Sequence, residues 1–216
     1  MREINLLKSL PKSKRNIKDR HTQKTDDHVR ISRLYGKEYF DGKREFGYGG
    51  YKYDGRWQPV AKDIISHFKL KPGDRVLDVG CAKGFLVKDL LSLGIDAYGV
   101  DISDYALENC EPEVIGRLHH GSAHKLTFPD KSFSAVISIN TIHNLEKDKC
   151  SLALKEIQRL SPGNGFVQVD SYKDEEQKKI FDNWVLTAKF HDYPNNWLKL
   201  FKSAGYTGDY YWTIIV

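Results

Sequence analysis

With 216 residues, 40% of them hydrophobic and 29% charged, the chain has the composition of one globular domain, not of a disordered or membrane-embedded protein. No apolar run approaches the roughly 18–20 residues that span a bilayer, and no secretory leader is evident. Cys81, Cys110 and Cys150 have neither metal-ligand spacing nor an even count for disulfides, so no metal site is expected and a reducing, cytoplasmic setting is.

The net charge of +5 sits in the first thirty residues, which hold nine Lys/Arg and four Asp/Glu; the remainder is balanced. This basic arm (1–30), centred on LKSLPKSKRNIKDRHTQK, suits contact with nucleic acid, an anionic surface or an acidic partner, or is a solvated leader. No aromatic residue interleaves the basic ones, which argues against a nucleic-acid partner. Nothing in the sequence sets the oligomeric state.

In chain order, Val29, Ile31, Leu34 and Tyr35 recur at helical spacing and predict a helix over Asp26–Phe40. Glu45–Trp57 (EFGYGGYKYDGRW), with four glycines and three tyrosines, predicts an ordered aromatic loop, so 31–58 reads as a cap segment. Pro59–Lys69 predicts a helix that stops before the Lys71-Pro72-Gly73-Asp74 turn. From 59 to 216 short apolar runs then alternate with helical ones. Strands are expected at Val76–Val79, Ala97–Val100, Arg117–His120, Phe133–Ile139 and Gly165–Val169. Between them lie helices from Gly84 to Leu93, over Asp104–Cys110 and over Lys147–Leu160. This alternation predicts an α/β fold with a doubly wound, mostly parallel sheet. Beyond it, Asp174–Phe190 and Trp197–Ala204 read as helices and Tyr206–Val216 as a strand.

The first strand runs into VLDVGCAKGF (Val76–Phe85), and Asp101 closes the second strand 21 positions after Gly80. Gly80 permits a sharp turn and Gly84 is expected to let the backbone approach a ligand closely. An acid at the tip of the second strand can accept hydrogen bonds from a ribose diol. A dinucleotide fingerprint would need glycine where Ala82 and Phe85 stand, and the Gly-Lys-Ser/Thr of a P-loop is absent. The pattern is that of a loop for a nucleoside without pyrophosphate.

These residues resemble the class I S-adenosylmethionine-dependent methyltransferases of the small type 11 group. Gly121–Leu145 and Ala153–Asp170 match the same family in register, so the likeness covers roughly 57–172. It implies a Rossmann-like sheet of the seven-stranded type, here with room for one strand where the family closes with a hairpin. It also implies S-adenosylmethionine as cofactor. Asp78, Gly80, Cys81, Ala82, Lys83 and Gly84 would line its methionine end, beside a helix N-terminus that favours its carboxylate. Asp101 would hold the ribose and Ile102 face the adenine. Ser122, Ala123 and His124 would form the adenine loop, with Ser122 standing where many relatives carry Asp. Asn140 would complete the cofactor set.

At the end of the fourth strand stands Asn140-Thr141-Ile142-His143-Asn144. It lacks the Asn/Asp-Pro-Pro-aromatic signature of DNA adenine methylation, the cysteine of cytosine-C5 methylation and the acids of a metal-assisted catechol enzyme. Metal-free transfer to a hydroxyl, carboxylate, amine or carbon of a small molecule remains, with oxygen the expected atom and, by analogy, a sugar or glycan precursor the expected acceptor. The alternatives are an RNA or other nucleic-acid methyltransferase using the arm, or a silent cofactor-binding protein. His143 is the expected general base, since imidazole titrates near neutrality; the same residue also suits packing of the cofactor loop. Tyr48, Tyr53, Arg56, Tyr172 and His191 are the candidate substrate residues.

Overall fold

In the computed structural model, which describes residues 1–11 and 24–214, six strands form one sheet in the order β3-β2-β1-β4-β5-β6. They are β1 (Arg75–Val79), β2 (Asp96–Asp101), β3 (Leu118–His120), β4 (Ala135–Ile139), β5 (Gly165–Asp170) and β6 (Asp209–Thr213). Every neighbouring pair is parallel. The chain winds outward from β1 to β3, then returns to place β4 on the other side of β1. The crevice between the carboxyl ends of β1 and β4 is therefore the place where such a sheet binds ligands.

Alternation along the strands sorts the core into two layers. Val76, Ala135, Ile137 and Phe166 pack on one face with α3 (Gln58–Phe68) and α4 (Phe85–Ser92). Leu77, Val136, Val167 and Val169 pack on the other with α6 (Lys147–Leu160) and α8 (Pro194–Ser203). Burial on both faces is why these strands read as unbroken apolar runs. α5 (Asp104–Glu108) follows β2, with Ser103 as its N-cap.

Two expected helices are shorter than their patterns. The first splits into α1 (Asp26–Ser32) and α2 (Lys37–Phe40), because Tyr35 takes a left-handed φ of +50°. The second, α7 (Glu175–Trp184), ends well before Phe190. There the backbone N–H groups of Lys189 and Phe190 donate to the carbonyl of His143, at 2.9 and 3.0 Å. A contact between distant segments has overridden local helical preference.

β6 is a single strand, parallel to β5 throughout its register. Its outer edge is covered by the start of the chain: Ile4 N–H donates to the Tyr210 carbonyl, and Tyr210 N–H to the Arg2 carbonyl. Leu6 is buried against α3 and β1. Thus residues 2–10, which by charge belong to the arm, pack on the sheet edge and shield its unpaired backbone groups. The basic stretch 12–23 lies outside the described residues.

The buried Asp209 carboxylate fastens this edge. It accepts from the Arg2 backbone N–H at 2.7 Å and from the Arg2 guanidinium at 2.8 Å, and lies 3.0 Å from His67 Nε2. Burial opposes its ionisation, but these donors outweigh that and hold its pKa below the usual carboxylate value. Asp209→Ala should lower the melting temperature by a few degrees, since the largely buried His67 ring and the Arg2 backbone N–H would lose their acceptor. A group depressed on folding stabilises above its unfolded pKa, so the difference between wild type and variant should be full at neutral pH. It should vanish as pH falls through the lowered Asp209 pKa, and thermal melts across pH would check both points.

Candidate active site

The chain leaves β1 through Gly80, whose φ is +85° and whose Cβ, if present, would stand 2.0 Å from Thr141 Oγ1. Glycine is therefore required here twice, by conformation and by contact with the end of β4. Ala82 also adopts a left-handed φ of +50°. Its N–H donates to Asp101 Oδ2 at 2.7 Å, while Asp101 Oδ1 accepts from Ser103 N–H at 2.9 Å. One carboxylate thus ties the loop after β1 to the turn after β2.

A cavity of about 480 Å³ opens over this junction at the carboxyl edge of the sheet. Gly80, Ala82, Asp101 and Ile102 form its floor, and Ser122, Ala123 and His124 one wall. Asn140 and Thr141 line it from β4. Ile102 is 52% exposed, leaving an apolar side chain free to meet a flat ligand. His124 Nδ1 lies 2.6 Å from Ser122 Oγ, so these two order each other.

The other predicted loop residues do not line the cavity. A Cβ on Gly84 would meet the side chains of Leu118 and Val114 at 2.9 and 3.1 Å. Its place is thus set by packing of the helix start, not by ligand approach. Cys81 is buried against Gly99 of β2. Lys83 is buried, with Nζ 2.6 Å from Asp41 Oδ2. Asp78 is buried behind the loop, and burial with the nearby Asp101 charge pushes its carboxyl up to about 7. Among the described residues it accepts no hydrogen bond.

The roof comes from the segment before α3. Tyr35, Tyr39, Phe40 and Tyr48 line the cavity and pack edge to face or stacked, with ring centroids 5.0–5.8 Å apart. Asp41 pins this aromatic layer down, accepting from Lys83, from Tyr105 Oη at 2.8 Å and from Tyr51 N–H at 3.0 Å. Burial works against the Asp41 carboxylate, yet these donors prevail and lower its pKa. Burial raises the Tyr39 hydroxyl well above its usual value, so it stays protonated. Arg33, Lys149 and Lys189 stand at the rim, with Lys189 Nζ 3.8 Å from Glu146 Oε1.

His143 is elsewhere than a base should be. Its ring is 3% exposed, and Nδ1 accepts the Asp170 backbone N–H at 3.0 Å. Nε2 therefore carries the proton and faces Asp170 Oδ2 at 3.3 Å. Both nitrogens are occupied and the residue does not line the cavity, so it joins the turn after β4 to β5 and has no free lone pair for an acceptor. Of the substrate candidates, only Tyr48 lines the cavity. Tyr53 donates to Asp89, and Arg56 pairs with Asp54 in solvent. Tyr172 and His191 pack with Phe181 and Tyr193 under α7.

Tyr35, Tyr39, Phe40, Thr141, Lys149 and Lys189 were not singled out by sequence. The aromatic run YGKEYF was the available signal for the first three. Lys149 and Lys189 carry none, one being an ordinary lysine in the first turn of α6 and the other a lysine beyond the end of α7.

A parallel doubly wound sheet with a nucleoside-type loop and a roofed cavity at its switch point defines a class I, Rossmann-like methyltransferase fold. Residues 77–169 match the methyltransferase domain family of type 11, a similarity that supports S-adenosylmethionine as the cofactor. The 2-methyl-6-phytyl-1,4-hydroquinone methyltransferase of Synechocystis sp. is 28% identical over 178 residues, 71% of this chain and 55% of that one. The demethylmenaquinone methyltransferase of Symbiobacterium thermophilum is 31% identical over 130 residues, 55% of this chain and 51% of that one. Other relatives are named as methyltransferases of sterols, of phosphoethanolamine and of tRNA. The chain spans about half the length of these first two relatives. The solved YcgJ protein of Bacillus subtilis shares the fold, with a TM-score of 0.55 at 21% identity over 67% of this chain and 66% of that one. No helix among the described residues is long and apolar enough to cross a membrane.

His143→Ala should expose its structural role. The Asp170 N–H would lose a buried acceptor, a cost of roughly 1–3 kcal/mol, while affinity for S-adenosylhomocysteine should stay within about twofold of wild type. Burial lowers the His143 pKa although Asp170 opposes this, so the unfolded state binds the proton more readily. Wild-type stability should therefore decline as pH falls through about 6.5, the unfolded value. Chemical denaturation between neutral and mildly acidic pH should show a shallower decline in the variant.

Proposed function

We propose that this chain transfers a methyl group from S-adenosylmethionine to an oxygen of a small acceptor bound beneath the aromatic roof. The carrying observation is one continuous cavity whose floor is the cofactor loops and whose roof is Tyr35, Tyr39, Phe40 and Tyr48. The residues present suit the cofactor. Asp101 lines the cavity and keeps lone pairs beyond those that its backbone donors use. Exposed Ile102 offers the apolar surface an adenine ring would cover.

When bound, the cofactor supplies an electrophilic methyl on a sulfonium. The protein's own tasks are then to hold, align and exclude water. Asp101 would hold the ribose diol, and the Asp41–Lys83 pair would keep the roof closed over the loop. A chamber of this size suits a small acceptor better than a polymer. The quinone-related substrates in the names of relatives agree with a flat acceptor at least as well as a sugar does. With His143 occupied, the reaction would rest on alignment and on the acceptor's own ionisation.

Asp101→Ala should weaken S-adenosylhomocysteine binding about ten- to a hundredfold, the worth of charge-assisted hydrogen bonds of roughly 1.5–3 kcal/mol. Calorimetry on the folded variant measures this, and unchanged affinity would refute the cofactor site. Incubation with radiolabelled S-adenosylmethionine and fractionated extract should place label in small molecules. Label in RNA instead would reverse the acceptor class.

A further inference from the structure

Asn140 combines a left-handed backbone, placement and an unused pair of donors. It holds a left-handed φ of +52° at the end of β4, a conformation that asparagine adopts more readily than other non-glycine residues. Its backbone is fully engaged: N–H donates to the Gln168 carbonyl at 2.9 Å, and its carbonyl accepts from Asn144 Nδ2 at 3.4 Å. Its side chain leans away from the cofactor loops, across β5, to Thr213 of β6, where Oδ1 accepts from Thr213 Oγ1 at 2.6 Å. Its amide nitrogen has no partner among the described residues, and the residue lines the cavity.

The direction of that amide is determined by a chain of hydrogen bonds. Gln168 Nε2 donates to Thr213 Oγ1 at 2.8 Å, and Gln168 Oε1 is buried without a partner. Turning the Gln168 amide over would place two orphaned N–H donors where one orphaned oxygen now sits, a worse arrangement. Thr213 therefore receives from Gln168 and must spend its single proton on Asn140 Oδ1. The Asn140 NH₂ is left as a donor pair, without a partner among the described residues, on a residue that lines the cavity. Arg33, Lys149 and Lys189 line the same cavity with Asp101 and Glu146, the last of them 3.8 Å from Lys189, so the lining is positive by one charge.

We infer that Asn140 binds an oxyanion, a carboxylate or phenolate, of a flat acceptor, and that Thr213 and Gln168 are positioning residues that aim its amide. This rests on the cofactor reading above and names the acceptor chemistry of that site.

Benzoate and benzamide are nearly isosteric probes that differ in charge and in acceptor strength. They would be titrated into the full chain saturated with S-adenosylhomocysteine, following the Asn140 side-chain amide by ¹⁵N NMR. Benzoate should bind at least about tenfold more tightly than benzamide, as a charge-assisted hydrogen bond implies, and should shift that amide signal. Asn140→Asp should abolish the preference. Thr213→Val should reduce it to less than about threefold, Thr213→Ser should restore it, and both Thr213 variants should keep wild-type affinity for S-adenosylhomocysteine. Equal affinity for the two probes, no binding of either, or a preference that survives Asn140→Asp overturns the assignment while leaving the cofactor reading intact. Failure of the wild type to bind S-adenosylhomocysteine would overturn both.

Discussion

The site depends on one carboxylate. Asp101 stands at the end of β2 and takes backbone protons from Ala82, in the loop after β1, and from Ser103, in the turn before α5. Parallel strands share no tight turn, so their carboxyl ends need such a tie to hold two loops at fixed spacing. The left-handed φ values of Gly80 and Ala82 make the loop short enough for the tie to reach. Gly80 adds a second restraint, because contact with Thr141 sets the loop against the end of β4. The floor of the cavity and its β4 wall are thereby fixed relative to each other, the kind of pre-set geometry by which positioning lowers the cost of a reaction.

The roof is coupled to the same loop by an exchange of roles. Lys83 sits in the glycine-punctuated turn, where the resemblance makes it a cofactor contact, yet its ammonium is buried against Asp41 of the roof. Removing either partner would leave the other's charge unpaired, which fixes how the two segments meet. Here it selects one docking of the aromatic layer, with Tyr105 and the Tyr51 backbone satisfying the rest of the Asp41 carboxylate. Ser103 adds a further fastening by donating to the Tyr35 carbonyl. The turn after β2 thus serves Asp101 on one side and the roof on the other.

Much of this was legible from sequence because it rests on local rules. Apolar runs buried on both faces, a glycine where φ must be positive and an acid at a strand tip are properties of a few neighbouring residues. They located the strands, the loop and Asp101. What failed depended on distant partners. Tyr35 breaks the first helix and Phe190 leaves the seventh because each is drawn to another segment, a force that helical periodicity does not record. His143 has the chemistry of a base and the address of one, at the carboxyl edge of the sheet. Only the Asp170 N–H, 27 residues away, shows that its lone pair is already used. Lys149 and Lys189 reach the rim through tertiary placement alone.

The last strand shows how a change in sheet architecture reaches the chemistry. β6 runs parallel beside β5, which leaves an outer edge that the first residues of the chain cover through Arg2 and Asp209. The same register sets Thr213 opposite Asp170, at the carboxyl end of the sheet, where its hydroxyl reaches Asn140. An antiparallel closing strand would present a different residue at that height. The edge contact at one end of β6 and the hydrogen bond at the other therefore act on one rigid element.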